Sequence, residues 1–191
     1  PRGRGRPLAF DRDVALSQAQ VLFHAHGYEG VGVAALATAM SINPPSLYAA
    51  FGSKAALFDE VLGRYARAAL PIDALLSPGT EPTAALTALL REAARIYPSD
   101  PQATGCLVLE GARGADAEAA SCARQWKIAS EQRVRDFLMP THPVQADLVA
   151  DYMVTIMSGL SADARGGMAA DRLIAVADMA GRAIGSMLDT A

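Results

Sequence analysis

The sequence predicts an all-α protein. It is 51% hydrophobic by a broad count yet only 6% aromatic, because alanine dominates. Alanine with Leu, Arg, Glu and Met favours helix, and long β-branched runs are absent. Apolar residues also recur at three- and four-residue spacing, interrupted by Gly and Pro clusters that separate one helix from the next. At 191 residues the chain can bury a real core as one large or two modest domains.

Residues 1–7, Pro-Arg-Gly-Arg-Gly-Arg-Pro, read as a basic arm. A first helix is expected over 12–26, with Ala15, Ala19, Leu22 and Phe23 on one face and Gly27 as its left-handed stop. A second covers 33–40. Gly32 stands at its cap, which costs only a few tenths of a kcal/mol against Ser or Thr. Ser41-Ile42-Asn43 then turns into a very short third helix. Asn43 is a good N-cap, Pro44 suits the first helical position, and Pro45 is tolerated because first-turn N–H groups lack intrahelical acceptors. Lys54 opens a fourth helix carrying Leu57, Phe58, Val61, Leu62 and Tyr65, ending near Pro71 or at Ser77-Pro78-Gly79. Five more helices follow at about 82–97, 102–113, 115–138, 144–165 and 168–189, separated by Pro- and Gly-containing breaks.

A short helix braced by neighbours and preceded by another short helix has the shape of a helix-turn-helix DNA reader. The residues make this specific. Gly27-Tyr28, Leu36-Ala37, Ser46-Leu47-Tyr48 and Phe51-Gly52-Ser53-Lys54-Ala55-Ala56-Leu57-Phe58 resemble the N-terminal domain of TetR-type bacterial transcriptional regulators, over about 10–62 without a gap. The resemblance implies about nine helices. Three form a DNA-binding domain (1–53 with the arm), and six form a larger effector-binding and dimerisation domain (54–191), linked by the fourth helix. It implies a homodimer on a near-palindromic double-stranded operator, released by a small-molecule effector.

Charge agrees once it is located. The net charge is −3, but residues 1–70 hold seven Arg/Lys against five acids, a local +2. Tyr48 would reach a phosphate or stack on a sugar, or else pack half-buried. Lys54 sits where a helix dipole favours anions, which makes sense with a DNA phosphate in front of it; otherwise it is a solvated charge. The exposed face of the third helix offers Pro44, Pro45, Ser46 and Ala49, without Arg, Gln or Lys for bidentate base contacts. Base reading is therefore expected to lean on thymine methyls, with Ser46, Thr38 and the capping Asn43 nearby. Arg2, Arg4 and Arg6 would enter an A·T-rich minor groove, unless the arm is merely solvated.

For the larger domain, the expected effector pocket contains Ile96, Tyr97, Cys106, Leu109, Trp126 and Met153, with Trp126 alternatively in the core; an apolar pocket suits a hydrophobic effector. Cys106 and Cys122, expected in the sixth and seventh helices, are read as small buried residues, with a thiol-redox switch as the alternative. The last two helices look apolar on more than one side. Leu148, Tyr152, Ile156, Leu160, Leu173, Val176, Ala180 and Ile184 are expected at a four-helix dimer interface, where Ala177, Ala180, Gly181 and Gly185 would permit close approach.

Other classes find little in the residues. No nucleophile elbow, P-loop or full dinucleotide fingerprint occurs, so no enzyme and no cofactor are expected. His24 and His26 are two apart on a helix and cannot share a metal, and no zinc-type Cys/His set exists. One histidine should pack and the other be solvated. No apolar run approaches the ~18–20 residues of a membrane span, and no secretory signal is read. A cytoplasmic protein is the expectation. A protein-interaction module without DNA binding is the remote alternative.

Overall fold

The computed structural model describes residues 11–190. Among them lie ten helical segments: α1 (Arg12–His26), α2 (Val33–Ala39), α3 (Pro44–Phe51), α4 (Lys54–Ala68), α5 (Ile72–Leu75), α6 (Pro82–Ile96), α7 (Leu107–Gly111), α8 (Ala117–Leu138), α9 (Ala146–Arg165) and α10 (Ala170–Leu188). One is additional to the nine expected, the single turn α5. The segment expected over 102–113 is helical only from Leu107, because Gly105 at φ 81° breaks the chain there. Cys106 therefore caps α7 rather than lying inside a helix.

Side chains cap several of these helices. Asp11 accepts from the Asp13 and Val14 N–H groups, Ser53 from Ala56, Glu81 from Thr83 and Ala84, and Asp116 from Ala119. Each supplies an acceptor that the first turn lacks.

The head, α1 to α3, is built on apolar side chains that are buried completely: Phe23, Leu36 and Leu47. Helix α4 continues the same core through Leu57, Phe58, Val61 and Leu62, then runs on into the body against α8. Arg12 clamps the start of α1 onto this assembly. Its guanidinium bonds the Glu60 carboxylate, donates to the Ala50 carbonyl at 2.9 Å and lies 4.4 Å from the centre of the Phe51 ring.

In the body, α10 packs most extensively on α6. Gly181 is the contact point, since a Cβ there would overlap the side chain of Thr87. This corrects the expected use of the small residues: Gly181 and Gly185 meet Thr87 and Thr83 of α6 in the same chain, and Ala177 and Ala180 are buried within it.

Candidate nucleic-acid interface and ligand chamber

Helix α2 ends in a left-handed stop at Ser41, whose φ is 56°. The Ile42 N–H reaches the Ala37 carbonyl and the Ser41 N–H reaches that of Thr38, each at 3.0 Å. This is the Schellman arrangement, and glycine usually occupies its left-handed position. Serine pays a steric cost there of about 1 kcal/mol. Ser41→Gly is therefore expected to raise the melting temperature by a few degrees, read by calorimetry; a lower value would contradict the strain argument.

The third helix is held by Leu47 and Phe51, both buried, while Pro44, Pro45, Ser46, Tyr48 and Ala49 face outward. Asn43 accepts from the Ser46 N–H at 2.8 Å. With proline at both preceding positions, the first turn of α3 presents no spare N–H to a phosphate. Its outward face is apolar apart from Ser46 and the Tyr48 hydroxyl. Thr38 is exposed on α2, but its hydroxyl donates back to the Ala34 carbonyl at 2.9 Å, which leaves it only as an acceptor. Arg2, Arg4 and Arg6 lie outside the described residues.

Lys54 is placed differently from Tyr48. Its ammonium donates to the Tyr28 carbonyl at 2.7 Å and sits 3.9 Å from the centre of the Tyr28 ring. Burial lowers its pKa, opposed by Asp116 and Glu29. Next in the chain, Glu29 accepts the Ala115 and Asp116 N–H groups at 2.7 and 3.0 Å, at the entrance to α8. Those backbone donors hold its carboxyl below its ordinary pKa. Lys54 and Glu29 thus tie the end of α1 to α4 and to the body. Sequence reasoning missed Glu29, because its partners stand 86 and 87 positions away and nothing local announces them.

The two histidines separate as expected, His24 buried and His26 exposed. The His24 Nε2 lies 3.2 Å from the Gly105 carbonyl, and its ring meets Tyr65 edge-on at 5.3 Å. Arg165 closes the same junction, donating to the Thr104 carbonyl at 3.0 Å. Burial lowers the His24 pKa from its ordinary 6.5; the Gly105 carbonyl opposes this and Arg165 adds to it. The sign follows. Below pH 6.5 the unfolded chain takes up a proton that the folded imidazole refuses, so stability is complete above that pH and falls as pH drops beneath it. Melting temperature is expected to decline between about pH 7 and 5.5, with a smaller decline in His24→Gln; equal slopes would exclude His24 as the cause.

Of the six residues expected in the pocket, three come together. Tyr97, Cys106 and Leu109 line a small chamber of about 60 Å3 with Ile72, Val108, Lys127, Ser130, Val154 and Met157. Ile96 instead lines a neighbouring cleft with Gln20, His24 and Tyr65. Met153 is fully buried in the core. Trp126 stands between α8 and α4, donating to the Asp59 carboxylate at 2.8 Å, with its ring filling the space beside Gly63. Cys122 is half-buried on α8. Burial raises the pKa of both thiols, which disfavours the thiolate.

The expected dimer face divides in two. Leu160, Leu173, Ala180 and Ile184 are buried within this chain and are unavailable to a partner. Leu148 is 65% exposed and Val176 42%, with Tyr152 and Ile156 half-buried beside them. Met179, which sequence reasoning passed over, is 63% exposed on the same helix as Val176. Periodicity identifies two apolar faces on α10 but does not say which one meets α6.

Among the described residues, no group of three or more His, Cys, Asp or Glu side chains is placed to hold a metal ion. No helix there is long and apolar enough to cross a membrane.

A helix-turn-helix head with an outward α3, continuous through α4 with a helical body, is the architecture of a DNA-binding regulator. Comparison with known proteins gives the family. The pattern described as "Bacterial regulatory proteins, tetR family" matches residues 15–61. The chain is 44% identical over 186 residues to the HTH-type transcriptional repressor BdcR of Escherichia coli (strain K12), covering 97% of this chain and 94% of that protein. It is 31% identical to the repressor ComR of the same organism, covering 92% and 90%. Among solved structures, a cysteine mutant of the TetR family regulator CifR, complexed with 26-bp operator DNA, superposes with a TM-score of 0.75. That chain is 35% identical, over 93% of this one and 99% of its own. The chain belongs to the TetR family of DNA-binding transcriptional regulators.

Proposed function

We propose that this chain is a homodimeric cytoplasmic repressor whose two α3 helices read the halves of a near-palindromic operator and whose body releases the DNA when a small apolar effector binds. The observation that carries the reading is the third helix: Leu47 and Phe51 lock it to the core, while Tyr48 remains 48% exposed on its outward face. The relatives named as repressors, and CifR in complex with operator DNA, support it. In this reading the domains divide at Ser53/Lys54, with α4 as the link: its first turns share the head's core and its later turns meet the body. A partner copy would cover Leu148, Tyr152, Ile156, Val176 and Met179. The chamber around Tyr97, Cys106 and Leu109 would receive the effector. Base discrimination rests on Pro44, Pro45 and Ala49 against thymine methyls, with Ser46 and the acceptor side of Thr38. No catalysis enters this reading. A redox switch through Cys106 and Cys122 has less support, since burial disfavours both thiolates.

The test is recovery of bound fragments from the source genome at moderate salt, against a Tyr48→Ala/Lys54→Ala variant. Enrichment of a near-palindromic site, lost in the variant, is expected. No enrichment by a folded, reduced dimer freed of bound small molecules would reject the reading.

The arm supplies a further expectation. Residues 11–70 hold four Arg/Lys against five acids, and Arg12 and Lys54 are already engaged. Deleting residues 1–7, which contain three arginines in each protomer, should weaken operator binding by the dimer and flatten its log–log salt slope by up to about 5. An unchanged slope removes the arm from the mechanism.

A further inference from the structure

The body holds a wide groove and a much smaller chamber, and one side chain, Ile72, forms part of the wall of both. The groove, about 620 Å3, runs between α5 and the C-terminal end of α8, with Leu76, Phe137 and Pro140 among its apolar lining. The chamber behind Ile72 measures about 60 Å3. Neither alone suits an effector. Small-molecule sites occupy roughly 300–1,000 Å3 and bury most of the ligand, so the chamber is too small and the groove too open.

The segment between them is weakly held. Helix α5 has four residues and no side-chain cap. A single turn has no stability of its own and stays in place by packing. Its link to α8 is an ion pair between Asp73 and Arg133 at 3.6 Å, largely in water, and such pairs contribute little. What seats α5 is the burial of Ile72, 8% exposed, with Leu75 and Leu76 partly buried against the same core.

The chamber is not purely apolar. Tyr97 is 1% exposed and its buried hydroxyl has no hydrogen-bond partner. The neighbouring Cys106 thiol lies close enough to interact with it but is a poor acceptor. Lys127 lines the same space, while the Ser130 hydroxyl is already donated to the Trp126 carbonyl at 3.1 Å. One buried donor in the wall of this chamber, the Tyr97 hydroxyl, is therefore left without a full acceptor.

We propose that Ile72 is a gate: when α5 swings aside, groove and chamber join into one site for an apolar small molecule carrying one hydrogen-bond-accepting oxygen, received by Tyr97. The inference rests on the effector reading above and gives it a route and a ligand chemistry. It also gives a lever. Helix α5 follows closely on the end of α4, the helix whose other end carries Lys54 and Phe58 against the head. Displacing α5 acts directly on the element that positions α3.

The test uses Cys106 as a reporter in a Cys122→Ser chain. Its alkylation by phenacyl bromide, an aromatic ketone, is followed by intact mass and referred to the reagent's rate with glutathione. Slow reaction is expected in the parent, with a rise of about tenfold or more in Ile72→Ala and little change in Ile72→Leu. Tyr97→Phe should slow phenacyl bromide but not benzyl bromide, which lacks the oxygen. Ile184→Ala loosens the body away from the gate and controls for general unfolding. The gate is overturned if Ile72→Ala leaves the rate unchanged, or if Ile184→Ala raises it equally. Equal effects of Tyr97→Phe on both reagents overturn the ligand chemistry. The effector reading fails separately: a gate that opens as expected, in a protein whose alkylated form holds its selected operator with unchanged affinity, leaves the passage and removes the effector role.

Discussion

Phe58→Ala is expected to destabilise the chain by about 3–5 kcal/mol, the range for truncating a fully buried phenylalanine. Phe58 has no exposed surface. Its ring meets Phe23 of α1 edge-on at 4.9 Å and lies 5.1 Å from the ring of Tyr28. Its tip also packs against Gly111 of α7, where an added Cβ would lie 3.0 Å away. One side chain therefore joins α1, the loop after it, α4 and the body. The cavity left by alanine opens at the junction, so head and body lose their common support together. In denaturant melts at fixed protomer concentration, the midpoint should fall sharply, with a melting temperature roughly 10 °C lower. A loss below about 1 kcal/mol would mean that the junction repacks and that the aromatic cluster does not join head to body.

Tyr48→Ala is expected to leave stability within about 0.5 kcal/mol, as for exposed positions, yet to weaken operator binding about ten- to hundredfold. The residue is 48% exposed and stands on the outward face of α3. Lys54→Ala should behave differently, because the ammonium is bonded to the Tyr28 carbonyl and stacked on its ring. It should lower stability and affinity together. Tyr48→Phe then separates hydroxyl from ring: a full loss assigns the contact to the O–H, and retained affinity assigns it to stacking. If Tyr48→Ala binds as the parent does, α3 is not the reader.

The parts legible in the sequence were those specified locally. The start of α1 and the stop at Gly27, the Asn43 cap with Pro44 and the opening of α4 at Lys54 depend on residues within one turn of each other. So does the separation of His24 from His26. What escaped was long-range. Glu29 meets backbone donors far away in the sequence, and Lys54 also bonds the Tyr28 carbonyl, 26 positions away. Leu173 and Ile184 satisfy the same periodicity whether they face α6 or a second subunit. Their burial, and the contacts of Gly181 with Thr87 and Gly185 with Thr83, decide for this chain's own core. The effector site was legible in residue type but not in placement: Tyr97, Cys106 and Leu109 converge, while Trp126, Met153 and Ile96 are used elsewhere.

The most direct measurement is a missing-contact footprint of the protein on its recovered operator, in which each base is removed in turn and the positions that weaken binding are mapped. The expected pattern is two symmetric clusters in successive major grooves, spaced by about one helical turn or a multiple of it, fading in Tyr48→Ala. A single cluster, or a pattern indifferent to changes on α3, would contradict reading by a dimer through that helix.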